Sequence, residues 1–205
     1  MGSIIKVNEY KDFNNNDIIT SDGAGNSTLG VTGKTITIPS GATMNVAGTL
    51  QTSGVAVGNT PSFQAYLSSN QSVASTTFTK CQFDTKVWDT ADCYDNTSNY
   101  RYTPNVAGKY FVYSMIFSDG SASGGTDVQL ITDIRKNGGG ASYATIYIKG
   151  HTGGGDGAWN SFTSVDMNGT TDYLEVFGYI RNSGTNNFLA NPQYTFFGAY
   201  RQSGV

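Results

Sequence analysis

The segment Phe78–Phe117, FTKCQFDTKVWDTADCYDNTSNYRYTPNVAGKYFVYSMIF, decides the fold. It closes with an alternating run that follows the turn from Pro104 to Gly108. One side of this run carries Tyr110, Val112, Ser114 and Ile116. The other side carries Phe111, Tyr113, Met115 and Phe117. Both sides are apolar, which predicts a strand buried on both faces, at the centre of a sandwich or at a subunit contact.

The overall composition is typical of turn-rich β structure. The chain of 205 residues contains 26 glycines, 13 tyrosines and 11 phenylalanines, and only 13% of its residues are charged. Glycine and asparagine add to the backbone entropy that folding must overcome. We therefore expect contacts between subunits to add stability to a modest core.

Strand signals recur from Ser62 onward with turn residues between them. About ten short strands joined by turns indicate an antiparallel sandwich, and nothing in the pattern predicts a helix. The predicted strand segments are PSFQAYLSS, TTFTKCQF, KVWDT, YRYTP, GKYFVYSMIF, TDVQLITDIRKNG, SYATIYIKG, GAWNSFTSVDMNG, DYLEVFGYIR and QYTFFGAYRQ.

The N-terminal third has a different sequence pattern. Residues 31–60 contain alternating apolar residues broken by tight turns, as in TITIPSGATMNVAGTL. Such segments form a core only when stacked on other copies, which predicts a β-rich trimerising stem; the alternative is a disordered linker. We expect a particle-anchoring segment at 1–30, the stem at 31–60 and a globular head at 61–205.

Charge and hydropathy exclude several functions. The formal net charge is −3 and no basic cluster occurs, so nucleic-acid binding is not expected. No apolar run has transmembrane length, so membrane insertion is not expected either. Lys6 and Glu9 interrupt the N-terminus where a signal peptide would need its apolar core, which predicts synthesis in the cytoplasm.

The two cysteines, Cys81 and Cys93, are either a disulfide or a pair of free thiols. Cytosolic proteins rarely keep disulfides, so cytoplasmic synthesis favours free thiols. The absence of a CxxC pattern argues against a zinc knuckle or a redox dithiol.

Several motifs together resemble the globular head of the complement C1q and tumour-necrosis-factor superfamily over residues 61–202. The motifs are Pro61-Ser-Phe, Tyr94-Asp95, Tyr102-Thr-Pro, Ala107-Gly-Lys-Tyr-Phe-Val, Arg135-Lys-Asn-Gly, Asp172-Tyr-Leu-Glu-Val and Phe196-Phe-Gly-Ala-Tyr. The resemblance implies an all-β fold, a ten-stranded antiparallel jelly-roll sandwich. It also implies a homotrimer around a three-fold axis.

Within such a head, the strand Tyr110–Phe117 would have one face in the jelly roll and the other toward the three-fold axis. The resemblance therefore yields a predicted set of trimer-interface residues. They are Tyr110, Val112, Tyr113, Phe117, Phe197 and Tyr200.

The stem departs from the complement branch, because it lacks Gly-X-Y collagen repeats. It resembles instead the stem and anchor segments of phage fibre and virion-decoration proteins. This second resemblance implies a non-enzymatic structural protein of a virion. Its N-terminal segment would dock on a capsid or tail protein, and its head would bind a polysaccharide or protein of the host surface.

Little in the sequence points to catalysis. The single histidine, His151, lacks a nucleophile motif, and only two glutamates occur. No cofactor is predicted, although Asp84, Asp89, Asp92 and Asp95 offer oxygen ligands for calcium as an alternative.

Loop aromatics are the better candidates for binding a partner. The predicted partner-binding residues are Trp88, Tyr94, His151 and Trp159, and core packing is the alternative role for the tryptophans. Two other functional classes stay open, a bacterial adhesin or carbohydrate-binding module and, third, an enzyme that acts on surface glycans.

Overall fold

The structure is a computed structural model. It describes residues 9–11, 13, 17–21, 24, 27–29, 37–47, 51–52, 55–56, 60–118, 129–139, 142–149, 157–181 and 186–202. All regular elements in these ranges are strands. The all-β fold class is therefore confirmed.

The chain separates into two compact units, Met1–Leu50 and Gln51–Val205. The first unit contains a three-stranded antiparallel sheet of β1 (Glu9–Lys11), β2 (Asp17–Ser21) and β3 (Ser27–Leu29). Residues 37–47 follow it without a regular strand. The predicted divisions at 30/31 and 60/61 stay predictions.

The second unit begins with a small hairpin and continues as a two-sheet sandwich. The hairpin strands are β4 (Gln51–Thr52) and β5 (Val55–Ala56). The sandwich strands are β6 (Ser62–Tyr66), β7 (Gln71–Ser72), β8 (Thr79–Lys80), β9 (Thr85–Asp89), β10 (Tyr94–Asp95), β11 (Arg101–Tyr102), β12 (Gly108–Ser118), β13 (Gln129–Lys136), β14 (Ser142–Lys149), β15 (Gly157–Met167), β16 (Leu174–Arg181), β17 (Asn187–Phe188) and β18 (Phe196–Arg201).

The two sheets are antiparallel and have six and seven strands. The six-stranded sheet has the order β10-β11-β16-β13-β14, and β8 also pairs with β16. The seven-stranded sheet has the order β7-β17-β12-β18-β6-β9, and β15 pairs with the other edge of β12. Strand β12 is thus internal to its sheet, with a neighbouring strand along each edge.

The core between the sheets is built on stacked aromatic rings. Phe63 stacks on Tyr94 and Tyr102 at centroid distances of 4.6 and 4.4 Å and meets Phe197 edge-on at 4.9 Å. Buried hydroxyl groups need hydrogen-bond partners. Tyr94 Oη donates to the Phe83 carbonyl at 3.0 Å, and Tyr102 Oη donates to the Pro61 carbonyl at 3.1 Å.

The structure confirms the antiparallel sandwich, and each of the ten predicted segments contributes a strand. It differs at TTFTKCQF, where only Thr79 and Lys80 pair as a strand. The Gln71 side chain explains the short ladder: its amide donates to the Lys80 carbonyl and accepts from the Gln82 amide. A side chain thus takes the place of a neighbouring strand at this edge.

Candidate assembly face and binding residues

The outer side of the seven-stranded sheet carries a group of aromatic side chains. We call it the aromatic face: Phe111, Tyr113, Phe117, Phe162, Phe196 and Tyr200. Alternation along the strands places these residues opposite the core positions. Phe162 is 63% exposed and Tyr200 is 37% exposed, so the face is open in the single chain.

Ring contacts across neighbouring strands hold the aromatic face together. The Phe111 ring lies 5.5 Å from Tyr200 and 6.2 Å from Phe162, and Tyr113 meets Phe196 at 6.1 Å. Aromatic pairs at such distances contribute about 0.5–1.5 kcal/mol beyond their area burial. These contacts stabilise the arrangement of the Phe111, Tyr113, Phe162, Phe196 and Tyr200 rings within the single chain.

Tyr113 lies between Phe111 and Phe196 on the face. Its hydroxyl donates to Gln64 Oε1 at 3.1 Å. Burial raises the pKa of Tyr113, and the neighbouring Tyr200 adds to the effect. The residue paired with it on β18 is Gly198, which has no side chain to compete for the space.

The predicted interface residues divide between the two sides of the sheet. Tyr113, Phe117 and Tyr200 lie on the aromatic face. The other three predicted interface residues are fully buried inside the sandwich of the single chain. These are Tyr110, Val112 and Phe197.

Tyr94, a predicted partner-binding residue, lies in the core of the sandwich. It is 2% exposed and forms part of the aromatic stack of the core. Burial raises the pKa of its hydroxyl well above the ordinary value. The polar neighbours in the sequence suggested a loop, but Tyr94 pairs with Tyr102 in a short two-strand ladder whose inner side faces the core.

The structure does not bring the remaining partner-binding candidates together. Trp88 is 42% exposed and pairs with Gln64, so it extends the aromatic face toward the sheet edge. Trp159 is partly buried and packs against the core, the alternative role considered for it. His151 lies outside the described residues.

The four aspartates considered for calcium are held by hydrogen bonds and ion pairs within the chain. Asp84 accepts two hydrogen bonds from Ser68, and Lys86 bridges Asp89 and Asp92 at 2.9 and 2.7 Å. Across the ranges that the structure describes, no three acidic, histidine or cysteine side chains form a group able to share an ion. These residues therefore provide no common ligand set here.

Asp95 organises the turn that follows it. Its carboxylate accepts hydrogen bonds from the amides of Thr97, Ser98 and Asn99 at 2.9–3.1 Å. The Ser98 and Thr97 amide bonds lower the pKa of Asp95 far below its ordinary value of 3.8. Its role is to hold this turn.

Cys81 and Cys93 are free thiols and both are buried, which confirms the favoured alternative. Burial raises the pKa of both thiols, and nearby aspartates add to the effect. A buried thiol with a raised pKa is a poor nucleophile and a poor metal ligand.

Two features were missed by sequence reasoning. The first is Phe162 on β15. Ser161 and Val165 of this strand point into the core, so alternation places Phe162 on the outer side of the sheet. The sequence alone did not show which side of the strand faces the core. The second is a polar groove, which we define by Leu67, Asn70, Gln71, Gln82, Asp84 and Tyr100. It unites three separate parts of the chain, so no local pattern indicates it.

Comparison with known proteins supports the fold. No protein-family model and no curated protein matches the sequence. Among solved structures, murine APRIL is similar with a TM-score of 0.51 and 12% identity, over 69% of this chain and 98% of that chain.

Two further solved structures are more distant. Eiger TNF from S. frugiperda has a TM-score of 0.47 and 15% identity over 70% of this chain and 92% of its own. The globular domain of zebrafish complement 1qA has a TM-score of 0.44 and 10% identity over 68% of this chain and 93% of its own. At such identities the likeness concerns the fold alone, which is an antiparallel jelly-roll sandwich similar to that of murine APRIL.

Proposed function

We propose that the protein is a non-enzymatic, trimeric structural protein of a phage virion, a fibre or decoration protein whose jelly-roll head projects outward. The observation that carries the trimer is the aromatic face. Fully burying one large apolar side chain contributes about 1.5–3 kcal/mol. A face of six aromatic residues is therefore a strong driving force for association between copies of the chain.

The N-terminal unit supports the same assembly. In the segment 37–47, Ile38, Met44 and Val46 are 48%, 56% and 38% exposed. The isolated segment thus leaves these apolar side chains largely in water. Three copies packed together would cover them, as expected of a trimerising stem.

The virion location is the part of the proposal that rests on the sequence pattern. Segment 1–30 would dock on a capsid or tail protein, and the head loops would contact a polysaccharide or protein of the host surface. Purified particles should contain the full-length chain. Deletion of residues 1–30 should abolish incorporation into particles and leave a folded head; an unfolded head would contradict the division.

The trimer is tested by light scattering coupled to size exclusion. The wild-type mass should be three times the chain mass of 21.8 kDa. Phe162→Asp places a charge on the exposed aromatic face and should yield monomers with an intact head. Tyr143→Asp is the matched control, because Tyr143 is 49% exposed on the six-stranded sheet and should leave the trimer intact. A wild-type monomer at all concentrations would refute the proposal.

A further inference from the structure

The polar groove is distinct from the aromatic face and has a volume of about 350 Å³. We propose that it binds a neutral saccharide. The inference rests on the proposed function, in which the head attaches to a host surface. The chemical class of the ligand is inferred from the residues of the groove. Its volume lies at the lower end of the range of about 300–1,000 Å³ for small-molecule sites.

Two lining side chains are held rigidly by the surrounding chain. The Gln71 amide donates to the Lys80 carbonyl at 2.8 Å and accepts from the Gln82 amide at 2.9 Å. The Asp84 carboxylate accepts from the amide and the hydroxyl of Ser68 at 2.9 and 2.7 Å. Such a preorganised wall reduces the entropy that a ligand must overcome on binding.

Other lining groups have hydrogen-bonding capacity left over. Asn70 Oδ1 accepts from the Ala190 amide at 2.8 Å, whereas its Nδ2 group has no partner among the described residues. The side-chain amide of Gln82 and the hydroxyl of Tyr100 also have none in this part of the chain. These groups both donate and accept, which matches the hydroxyl groups of a sugar.

Tyr100 provides an aromatic ring at the groove. Its φ of +51° lies in the left-handed region, which is uncommon for a bulky residue. Strained backbone persists where the surrounding structure enforces it, and it concentrates at functional sites. The ring offers the flat apolar surface against which the C–H groups of a pyranose can pack.

The lining chemistry selects against other ligand classes. Among the described residues, no lysine or arginine lines the groove, and its charged group there is the Asp84 carboxylate, so these residues offer an anionic ligand no counter-charge. Amides and hydroxyls dominate, with Leu67 as an apolar contribution, so an apolar ligand would leave polar groups unpaired. A neutral ligand with many hydroxyl groups fits best.

The test uses the full chain on an array of immobilised oligosaccharides. Neutral probes contain hexoses and N-acetylhexosamines, and anionic probes are their sialylated and sulfated counterparts. Wild-type protein should be retained on at least one neutral probe. Asn70→Asp keeps the acceptor for the Ala190 amide but removes the Nδ2 donors, so we expect affinity to fall about tenfold.

A second variant separates binding from folding. Tyr100→Gly removes the ring and suits the left-handed backbone, so saccharide retention should be lost while the thermal midpoint stays unchanged or rises. Tyr143→Ala, an exposed tyrosine outside the groove, should bind as wild type.

Three results would overturn the inference: no neutral probe retained by wild type, retention of anionic probes alone, or normal binding by both groove variants. Light scattering on the same samples reports the trimer separately. A trimer without saccharide binding rejects only the groove, and a monomer that binds saccharide rejects only the assembly.

Discussion

The ring of Tyr113 occupies the space that a side chain at position 198 would need. A Cβ atom built on Gly198 would overlap the Tyr113 ring, and the two residues are paired across β12 and β18. The glycine therefore lets the tyrosine lie across the neighbouring strand and reach Gln64. One backbone position without a side chain thus shapes the aromatic face.

Gly198→Ala should destabilise the head by about 1–3 kcal/mol, because the added methyl group displaces a packed ring. Chemical denaturation measures the loss, and light scattering shows whether the trimer weakens with it. In a Tyr113→Ala background the same substitution should cost much less, since the ring it meets is gone. Equal costs in both backgrounds would mean that the Tyr113 ring is not the obstacle.

The buried ion pair between Arg135 and Asp133 predicts an asymmetric response to mutation. The Asp133 side chain is 1% exposed, and its carboxylate lies 2.7 Å from Arg135 Nε. Arg135→Met leaves that carboxylate with its hydrogen bond from Thr145 but without a counter-charge, and should cost about 3–5 kcal/mol.

The double variant Asp133→Asn/Arg135→Met removes both charges and should recover part of the stability lost in Arg135→Met. Methionine retains apolar contact with Phe78 and Phe177, whose rings flank the guanidinium at 4.6 and 4.3 Å. Urea titrations of the single and double variants give the free energies of unfolding to be compared. A double variant as unstable as Arg135→Met would show that the charge is not the cause.

Acid should destabilise the head through Asp172. The bonds from Asn137 and Lys136 lower the pKa of this carboxyl below its ordinary value of 3.8. Its contribution is thus fully present above that ordinary value and is lost as the pH falls through the lower folded-state pKa. Asp172→Asn should therefore cost more at pH 7 than at pH 2.

The control for the acid experiment is Asp166→Asn. The Asp166 side chain is 81% exposed and pairs with Lys109 at the surface, so the change should alter the free energy of unfolding by less than about 0.5 kcal/mol. An Asp172→Asn cost that is independent of pH would contradict the assigned linkage.

Neither cysteine should react with Ellman's reagent in the native protein at pH 8. Both thiols are buried, and burial raises the pKa of each, so little thiolate forms. Two thiols per chain should become reactive in guanidinium chloride. Rapid reaction of one thiol under native conditions would contradict the buried placement.

Much of the sandwich was accessible to sequence reasoning, because period-two alternation identifies strands such as β12 and β13 directly. Which side of a strand faces the core is a harder question when both sides are apolar. Tyr110 and Tyr113 look alike in sequence, yet one donates its hydroxyl to the Val106 carbonyl inside and the other lies outside. Only the register with β15 and β18 distinguishes them.

The candidate sites were less predictable for a related reason. Tyr94 stands in a polar segment, and its burial depends on Phe63, a residue of a different strand. The polar groove depends on Asn70, Gln82 and Tyr100, which no spacing rule connects. Long-range pairing brings such residues together, and a single sequence carries little information about it.

The position of β18 between β6 and β12 has a consequence for biosynthesis. Both neighbours leave the ribosome long before Phe196–Arg201, and neither can complete its ladder until that strand arrives. At about 5–20 residues per second, the nascent sheet waits several seconds with an open gap between two apolar strands. We expect that interval to be when the nascent chain depends most on chaperones and is most exposed to pairing with neighbouring nascent chains.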